Sequence, residues 1–168
     1  SLDAATATTM NCDANGITGT IPASLGTFTL LEELILSANE LRRTIPDELG
    51  DLTRLTKLRL DGNALTGTIP LLLGELTKLK NLWLHTNILT GTVPRCLGKL
   101  TDIQPSGGQL ALSSNSLGGC VAKCIDYCSG GTLTASPCSI TEGGTNTGIT
   151  GVCADDCLLP CDATWAPT

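Results

Sequence analysis

Nine cysteines supply most of the reactive side chains in this 168-residue chain, and six of them form two triplets with the same spacing. The triplets are Cys120, Cys124 and Cys128, then Cys153, Cys157 and Cys161, each in four-residue steps. If the triplets are helical, each aligns three thiols along one face. An antiparallel pair of such helices would form a disulfide ladder joining Cys120 to Cys161, Cys124 to Cys157 and Cys128 to Cys153.

Zinc binding is the alternative chemistry for these thiols. Structural zinc prefers CxxC-like pairs, and His85 is the only imidazole available. Disulfides are therefore favoured, and nine cysteines in a chain of this length indicate a compartment outside the reducing cytosol. Spacing does not fix the pairing, because Cys138 could pair with either Cys12 or Cys96. The odd count leaves one thiol over, as a buried free thiol, an intermolecular bridge or the partner of a cysteine outside this sequence.

Groups for catalysis are few. The chain has one histidine and no GxSxG, HExxH or glycine-rich phosphate loop, and the adjacent Asp155 and Asp156 are typical of solvated charge. We predict no enzymatic activity, no cofactor and no metal. The net charge is −6, and the ten basic residues lie in a mildly positive centre between acidic ends. Nucleic-acid binding needs a basic stripe, so it is disfavoured.

Four copies of a 24-residue unit must position these side chains. The markers recur every 24 residues: asparagines 15, 39, 63 and 87, prolines 22, 46, 70 and 94, and glycines 26, 50, 74 and 98. Between them the chain follows the frame LxxLxLxxNxLxGxIPxxLGxL, most cleanly over residues 55–76. Self-similarity at a fixed period predicts a solenoid.

The frame assigns a structural role to each marker. In LxLxx, Leu58 and Leu60 point inward, where stacked copies cover each other's leucines. The asparagine follows this strand and is predicted to form a structural ladder of inward amides bonded to backbone groups of the turn. The proline fixes an extended dihedral, and the glycine is expected to end a short helical turn.

The outward positions of the strands form the candidate binding site. The candidate residues are Lys57, Arg59, Asp61, Asn81, Trp83 and His85. Because neighbouring strands lie about 4.8 Å apart, Arg59, Asp61, Trp83 and His85 would come within reach of one ligand. A tryptophan beside an arginine is a frequent anchor of protein interfaces. The alternative interpretation is that these columns are only solvated, with Trp83 leaning on its neighbours.

The repeat resembles the plant-specific class of extracellular leucine-rich repeats, and the resemblance covers roughly residues 9–119. It implies a right-handed superhelix of α/β solenoid type. About five parallel strands are expected on its concave face, with a second short strand and a 3₁₀ turn per repeat on the convex side. The fifth concave strand is predicted at Leu110 and Leu112, after a four-residue insertion near residues 104–109 that should form a surface loop.

We divide the chain into an N-terminal cap and first strand (residues 1–14), repeats (15–119) and a disulfide-rich C-terminal cap (120–168). No apolar run is long enough to span a membrane. The resemblance implies a secreted or cell-surface module that binds a protein or glycan through its concave face. The alternative is a structural subunit of a cell-surface or matrix assembly, whose partners are copies of itself. A weaker alternative is ice or polysaccharide binding through a convex threonine ladder.

Overall fold

The computed structural model describes residues 6–103, 109–122 and 149–153. Within them the chain runs through eleven strands. These are β1 (Thr9–Asn11), β2 (Thr18–Gly19), β3 (Glu33–Ile35), β4 (Glu40–Arg43), β5 (Lys57–Arg59), β6 (Ala64–Gly67), β7 (Asn81–Trp83), β8 (Ile88–Thr92), β9 (Gln109–Ala111), β10 (Ser116–Ala122) and β11 (Ile149–Cys153). Up to β10, odd-numbered and even-numbered strands belong to two different sheets, so each repeat contributes one strand to each.

The concave sheet is parallel, in the order β1-β3-β5-β7-β9. Its register follows the repeat, because Leu34 pairs with Leu58, which pairs with Leu82, and Leu82 with Leu110. The side chains of these four leucines are at most 1% exposed. The predicted five strands, including β9, are therefore confirmed. Most of the predicted insertion (residues 104–108) lies outside the described residues, and Gln109 belongs to β9.

The core is a column of leucines between the two sheets. Leu31, Leu55 and Leu79 repeat at one level and are fully buried, as are Leu60 and Leu84 at another. A buried leucine contributes about 1.5–3 kcal/mol, and each coil supplies several that its neighbours cover. Stability therefore comes from stacking rather than from any single coil.

The convex side combines the even-numbered strands with 3₁₀ helices, as predicted. The helices are Ala23–Thr27, Asp47–Asp51, Leu71–Glu75 and Arg95–Lys99. Each follows a proline in extended conformation; Pro46 has φ −67° and ψ 140°. The convex sheet has the order β11-β10-β8-β6-β4-β2.

The repeated glycine has a different role from the predicted one. Gly50 lies inside its 3₁₀ helix rather than after its end, and the same holds for Gly74. A Cβ on Gly50 would lie 2.6 Å from both the carbonyl oxygen and the Cβ of Leu72 in the next repeat. A Cβ on Gly74 would lie 2.5 Å from the carbonyl oxygen of Cys96. Glycine is required here because successive coils pack backbone against backbone.

The asparagine ladder is confirmed from the second repeat onward. The Nδ2 of Asn87 donates to the carbonyl oxygens of Leu60 and Leu84, at 3.0 and 3.1 Å, and its Oδ1 accepts from the Leu65 amide at 3.0 Å. Each asparagine thus binds its own turn and the preceding repeat. Asn15 departs from the prediction, because its side chain is exposed and donates only to the Asp13 carbonyl within the described residues.

The C-terminal strands correct the helical prediction for two cysteines. Cys120 lies in β10 and Cys153 lies in β11, and these strands are parallel, with Ala122 opposite Cys153. The extended backbone follows from β10 continuing the ladder of β8 through residues 116–118. Cys124, Cys128, Cys138, Cys157 and Cys161 lie outside the described residues, so the disulfide pairing stays a prediction. The boundary predicted at residue 119 falls within β10 and also stays a prediction.

Candidate functional site

The concave sheet brings the six predicted site residues together. Lys57 and Arg59 lie at the ends of β5, and the register places them opposite Asn81 and Trp83 of β7. Asp61 follows β5 by two residues and His85 follows β7 by two residues. The backbone amide of Gly62 donates to the carbonyl of His85 at 3.1 Å, which keeps these two turns side by side.

Arg59 is held from two directions. Its guanidinium carbon lies 4.4 Å from the centre of the Trp83 ring, within the range of a cation–π contact. Its Nε and Nη2 donate to the two carboxylate oxygens of Asp61, at 3.3 and 3.2 Å. A forked pair of this kind fixes the orientation of the guanidinium. The arginine is therefore a positioned group with part of its surface still open, since its side chain is 27% exposed.

Asp61 links the arginine to the histidine. Its side chain is only 11% exposed, and its Oδ2 lies 3.8 Å from Nε2 of His85. The His85 ring is tilted by 60° against the Trp83 ring, with 6.3 Å between the centroids. These four side chains form one cluster, which we call the Arg59 cluster: Arg59, Asp61, Trp83 and His85. The sequence predicted that these four side chains lie close together, and the structure adds the bonds between Arg59 and Asp61.

Lys57 and Asn81 lie beside the Arg59 cluster rather than in it. The Nζ of Lys57 is 2.9 Å from Oε1 of Glu33, and both side chains are 35% exposed. Sequence reasoning left Glu33 out of the site, although its opposite charge 24 residues before Lys57 is the signal for this ion pair. Such an exposed pair contributes about 0–1 kcal/mol, so Lys57 remains available to a ligand.

Two outward positions do not face solvent. Ile35 is 8% exposed and Ser37 is fully buried, although alternation places both on the outer side of the concave sheet. The Ser37 hydroxyl donates to the Asp13 carboxylate. These two positions of the second repeat therefore offer no open polar group to a ligand, and the predicted site residues lie further along, on β5, β7 and the turns that follow them.

Two polar atoms of the Arg59 cluster lack partners. Nε1 of Trp83 and Nδ1 of His85 are covered from solvent and have no hydrogen-bond partner within the part of the chain that the structure describes. An unpaired buried polar group costs about 1–3 kcal/mol. Both atoms therefore lower the stability of the cluster in this structure.

The convex threonine ladder is the second predicted surface. Thr66 is half-buried, and the other members of the ladder are exposed. The exposed members are Thr18, Thr20, Thr44, Thr68, Thr90 and Thr92. The convex sheet pairs Thr66 with Ile88 and Gly67 with Leu89, two residues short of the 24-residue repeat. Equivalent threonines on neighbouring strands are therefore displaced from one another along the strand direction.

The described part of the chain has neither a cluster of metal-ligating side chains nor a membrane-spanning helix. Residues 6–103, 109–122 and 149–153 contain no group of three or more His, Cys, Asp or Glu side chains that could hold a metal ion. Over the same ranges, no helix has the length and apolar character needed to cross a bilayer. Cys12, which is partly buried against the core, carries a free thiol.

Comparisons with known proteins agree with this architecture. The family model for the Leucine Rich Repeat matches residues 30–52 and 54–76. The plant peptide hormone receptor RGFR1, solved in complex with RGF2, is 42% identical over 64% of this chain, with a TM-score of 0.61. The BIR2 ectodomain from Arabidopsis thaliana is 28% identical over 88% of this chain, with a TM-score of 0.67. No match was found among curated proteins.

A plant ice-binding protein is also similar, at 32% identity over 71% of this chain and a TM-score of 0.64. The chain spans 17% of the length of RGFR1, 38% of the ice-binding protein and 69% of the BIR2 ectodomain. The repeats, the two parallel sheets and these similarities all indicate the same protein family. The chain is a leucine-rich-repeat protein with repeats of the plant-specific 24-residue class.

Proposed function

We propose that this chain is an extracellular, non-catalytic binding module that recognises a protein ligand through the Arg59 cluster on its concave face. The observation that carries the proposal is the Arg59 guanidinium, stacked on Trp83 and held by both oxygens of Asp61. A group already fixed in its bound orientation loses less entropy when a ligand arrives. Tryptophan and arginine are also the residue types most enriched among binding hot spots.

The dimensions of the sheet favour an extended peptide segment as the ligand. Five strands spaced about 4.8 Å apart span about 20 Å, which suits a short segment rather than a large flat partner. The unpartnered Nε1 of Trp83 and Nδ1 of His85 favour a ligand with backbone acceptors and donors. The similarity to a receptor solved with a peptide hormone supports this class of ligand. The cysteine content and the ectodomain relatives support an extracellular location.

Peptide selection tests this proposal. A displayed random-peptide library is panned on the immobilised protein, and calorimetry measures the affinity of the selected peptides. We expect Trp83→Ala and Arg59→Ala each to weaken binding about 30-fold, the effect of a typical hot spot of about 2 kcal/mol. Arg54→Ala is the matched control, because Arg54 is an exposed arginine outside the concave strands. Peptides that bind both variants as tightly as the wild type, with circular dichroism unchanged, would place the site elsewhere.

A second candidate function, self-assembly, is favoured by an exposed apolar pair. Leu71 and Leu72 are 50% and 45% exposed at the start of their 3₁₀ helix, where the preceding repeat carries Asp47 and Glu48. Exposed apolar groups at such a position are a candidate contact between copies. The double variant Leu71→Asp, Leu72→Glu copies the preceding repeat and should therefore fold. Sedimentation velocity measures the oligomeric state of both proteins. If the chain self-assembles, the wild type forms oligomers and the double variant is monomeric. If both proteins are monomeric at high concentration, self-assembly through this pair is excluded.

The threonine ladder supports ice or polysaccharide binding more weakly. In the second repeat, Arg42 and Arg43 replace the Thr-Gly sequence found in the first, third and fourth repeats. Two cations and a staggered register interrupt the regular array of hydroxyls.

A further inference from the structure

Arg43 occupies a position that the other repeats reserve for glycine. Gly19, Gly67 and Gly91 adopt φ values of 93°, 78° and 78°, and Arg43 adopts the same left-handed conformation, with φ 68°. Residues with a Cβ are disfavoured in this region, because the Cβ approaches the carbonyl oxygen that follows. Arginine is therefore a costly choice at a point where glycine would serve the fold better.

The neighbouring repeats show a second reason for glycine at this position. A Cβ on Gly67 would lie 2.7 Å from Cγ2 of Thr44, and a Cβ on Gly91 would lie 2.8 Å from Cγ2 of Thr68. A side chain here therefore crowds the threonine of the preceding coil. Backbone strain of this kind is enriched at functional sites, and Arg43 carries it together with a bulky cationic side chain, so it is a candidate functional residue.

Arg43 lines an open groove of 580 Å³ on the convex face. The hydroxyl-bearing residues of the groove are Thr20, Thr44 and Thr68, and its carboxylates belong to Asp47 and Glu48. All six of these polar residues, Arg43 included, are exposed. Within residues 6–103, 109–122 and 149–153, Arg43 has no carboxylate within 4.0 Å, although two carboxylates line the same groove. The cation therefore remains available to an anion from outside.

We propose that this groove binds an acidic sugar, with the carboxylate of a uronic acid residue on the guanidinium of Arg43. The planar fork of arginine matches a carboxylate with two parallel hydrogen bonds. The threonine hydroxyls can donate to or accept from the sugar hydroxyls, and Asp47 and Glu48 accept hydrogen bonds from them. The binding surface is separate from the Arg59 cluster, because it lies on the opposite sheet.

The mixed charge of the groove selects for a ligand that carries both hydroxyls and an anion. Asp47, Glu48 and the net charge of −6 repel every polyanion, and only one that carries hydroxyl groups offsets this repulsion by donating hydrogen bonds to the same two carboxylates. A neutral glucan leaves the guanidinium without its anion. A glucuronate oligomer satisfies both sets of groups, so it is the probe of choice.

The test compares binding and folding in one variant, Arg43→Gly. Calorimetry with a glucuronate oligomer should show at least tenfold weaker binding by Arg43→Gly than by the wild type. The same substitution should raise the melting temperature by about 3 °C, because it relieves the backbone strain. Loss of binding in a stabilised protein cannot be attributed to misfolding. Arg43→Lys keeps the charge but not the fork and should bind severalfold more weakly than the wild type.

Three controls make the result decisive. Arg54→Ala removes the same charge outside the groove and should leave glucuronate binding within about twofold. Dextran and polyaspartate should each bind at least tenfold more weakly than the glucuronate oligomer. Three results would each overturn the proposal. They are undiminished glucuronate binding by Arg43→Gly, no glucuronate binding by the wild type, and wild-type binding of polyaspartate as tight as that of glucuronate.

Discussion

Replacing Asn87 with alanine is expected to lower the free energy of unfolding by about 4 kcal/mol. The substitution leaves the buried Leu65 amide without its side-chain acceptor, and each of two buried carbonyls keeps only the asparagine donor of a flanking repeat. The lost bonds are those from Nδ2 to the carbonyls of Leu60 and Leu84, and that from the Leu65 amide to Oδ1. Asn87 is 9% exposed, so water cannot easily replace the amide. Urea denaturation followed by circular dichroism measures the change, with the slope m expected to stay constant.

Asn15→Ala is the matched control for this prediction. Asn15 has the same position in its repeat, but it is exposed and its side chain donates only to the Asp13 carbonyl within the described residues. We expect a loss of less than about 1 kcal/mol, since water can take over that bond. Equal losses from the two substitutions would mean that the asparagines act by turn preference alone and not through bonds to the preceding coil.

The second large effect is expected from Gly50→Ala, which should destabilise the protein by about 3 kcal/mol. The added methyl group would meet the Cβ and the carbonyl oxygen of Leu72 at 2.6 Å, and backbone atoms cannot move aside as a flexible side chain can. The two coils would have to separate, which opens the leucine column between them. The melting temperature should fall by about 10 °C at this cost.

Gly118→Ala provides the comparison for Gly50→Ala. A Cβ at Gly118 would meet nothing within 4 Å, and its φ is not positive. Its melting temperature should stay within about 2 °C of the wild type, because alanine adds neither a clash nor left-handed strain. If Gly50→Ala were equally mild, the close approach of successive coils would not limit this position.

The repeat frame predicted the fold because each leucine position has one physical solution. Leu58 and Leu82 recur every 24 residues, and only parallel stacking in that register buries both. The proline-led 3₁₀ helices followed from the same frame. The role of Gly50 did not, because the approach of the next coil is a property of packing between repeats rather than of one repeat's sequence.

The candidate site was predictable in position and not in its bonding. Alternation placed Arg59 and Trp83 on neighbouring strands, and the register confirms this. The carboxylate that pairs with Arg59 depends on side-chain conformations, which the repeat pattern does not determine. Arg59 bonds to Asp61, two residues later in its own repeat, rather than to a residue of a neighbouring strand. The four-residue spacing of Cys120 suggested a helix, yet pairing of residues 116–118 with β8 extends the backbone there.

The amide bonds of the ladder all run the same way, and this gives the molecule a mechanical polarity. Asn39 accepts hydrogen bonds from the backbone amides of Asn15 and Ile17 and donates to the carbonyl of Cys12, so the first turn is secured by the second coil. Asn115 secures the turn of the fourth coil in the same manner through the Leu89 amide. A pulling force or a protease that removes one coil therefore has unequal consequences for the two coils beside it. The coil before the gap loses the side chain that satisfies its turn, whereas the asparagine of the coil after it keeps the bonds within its own turn.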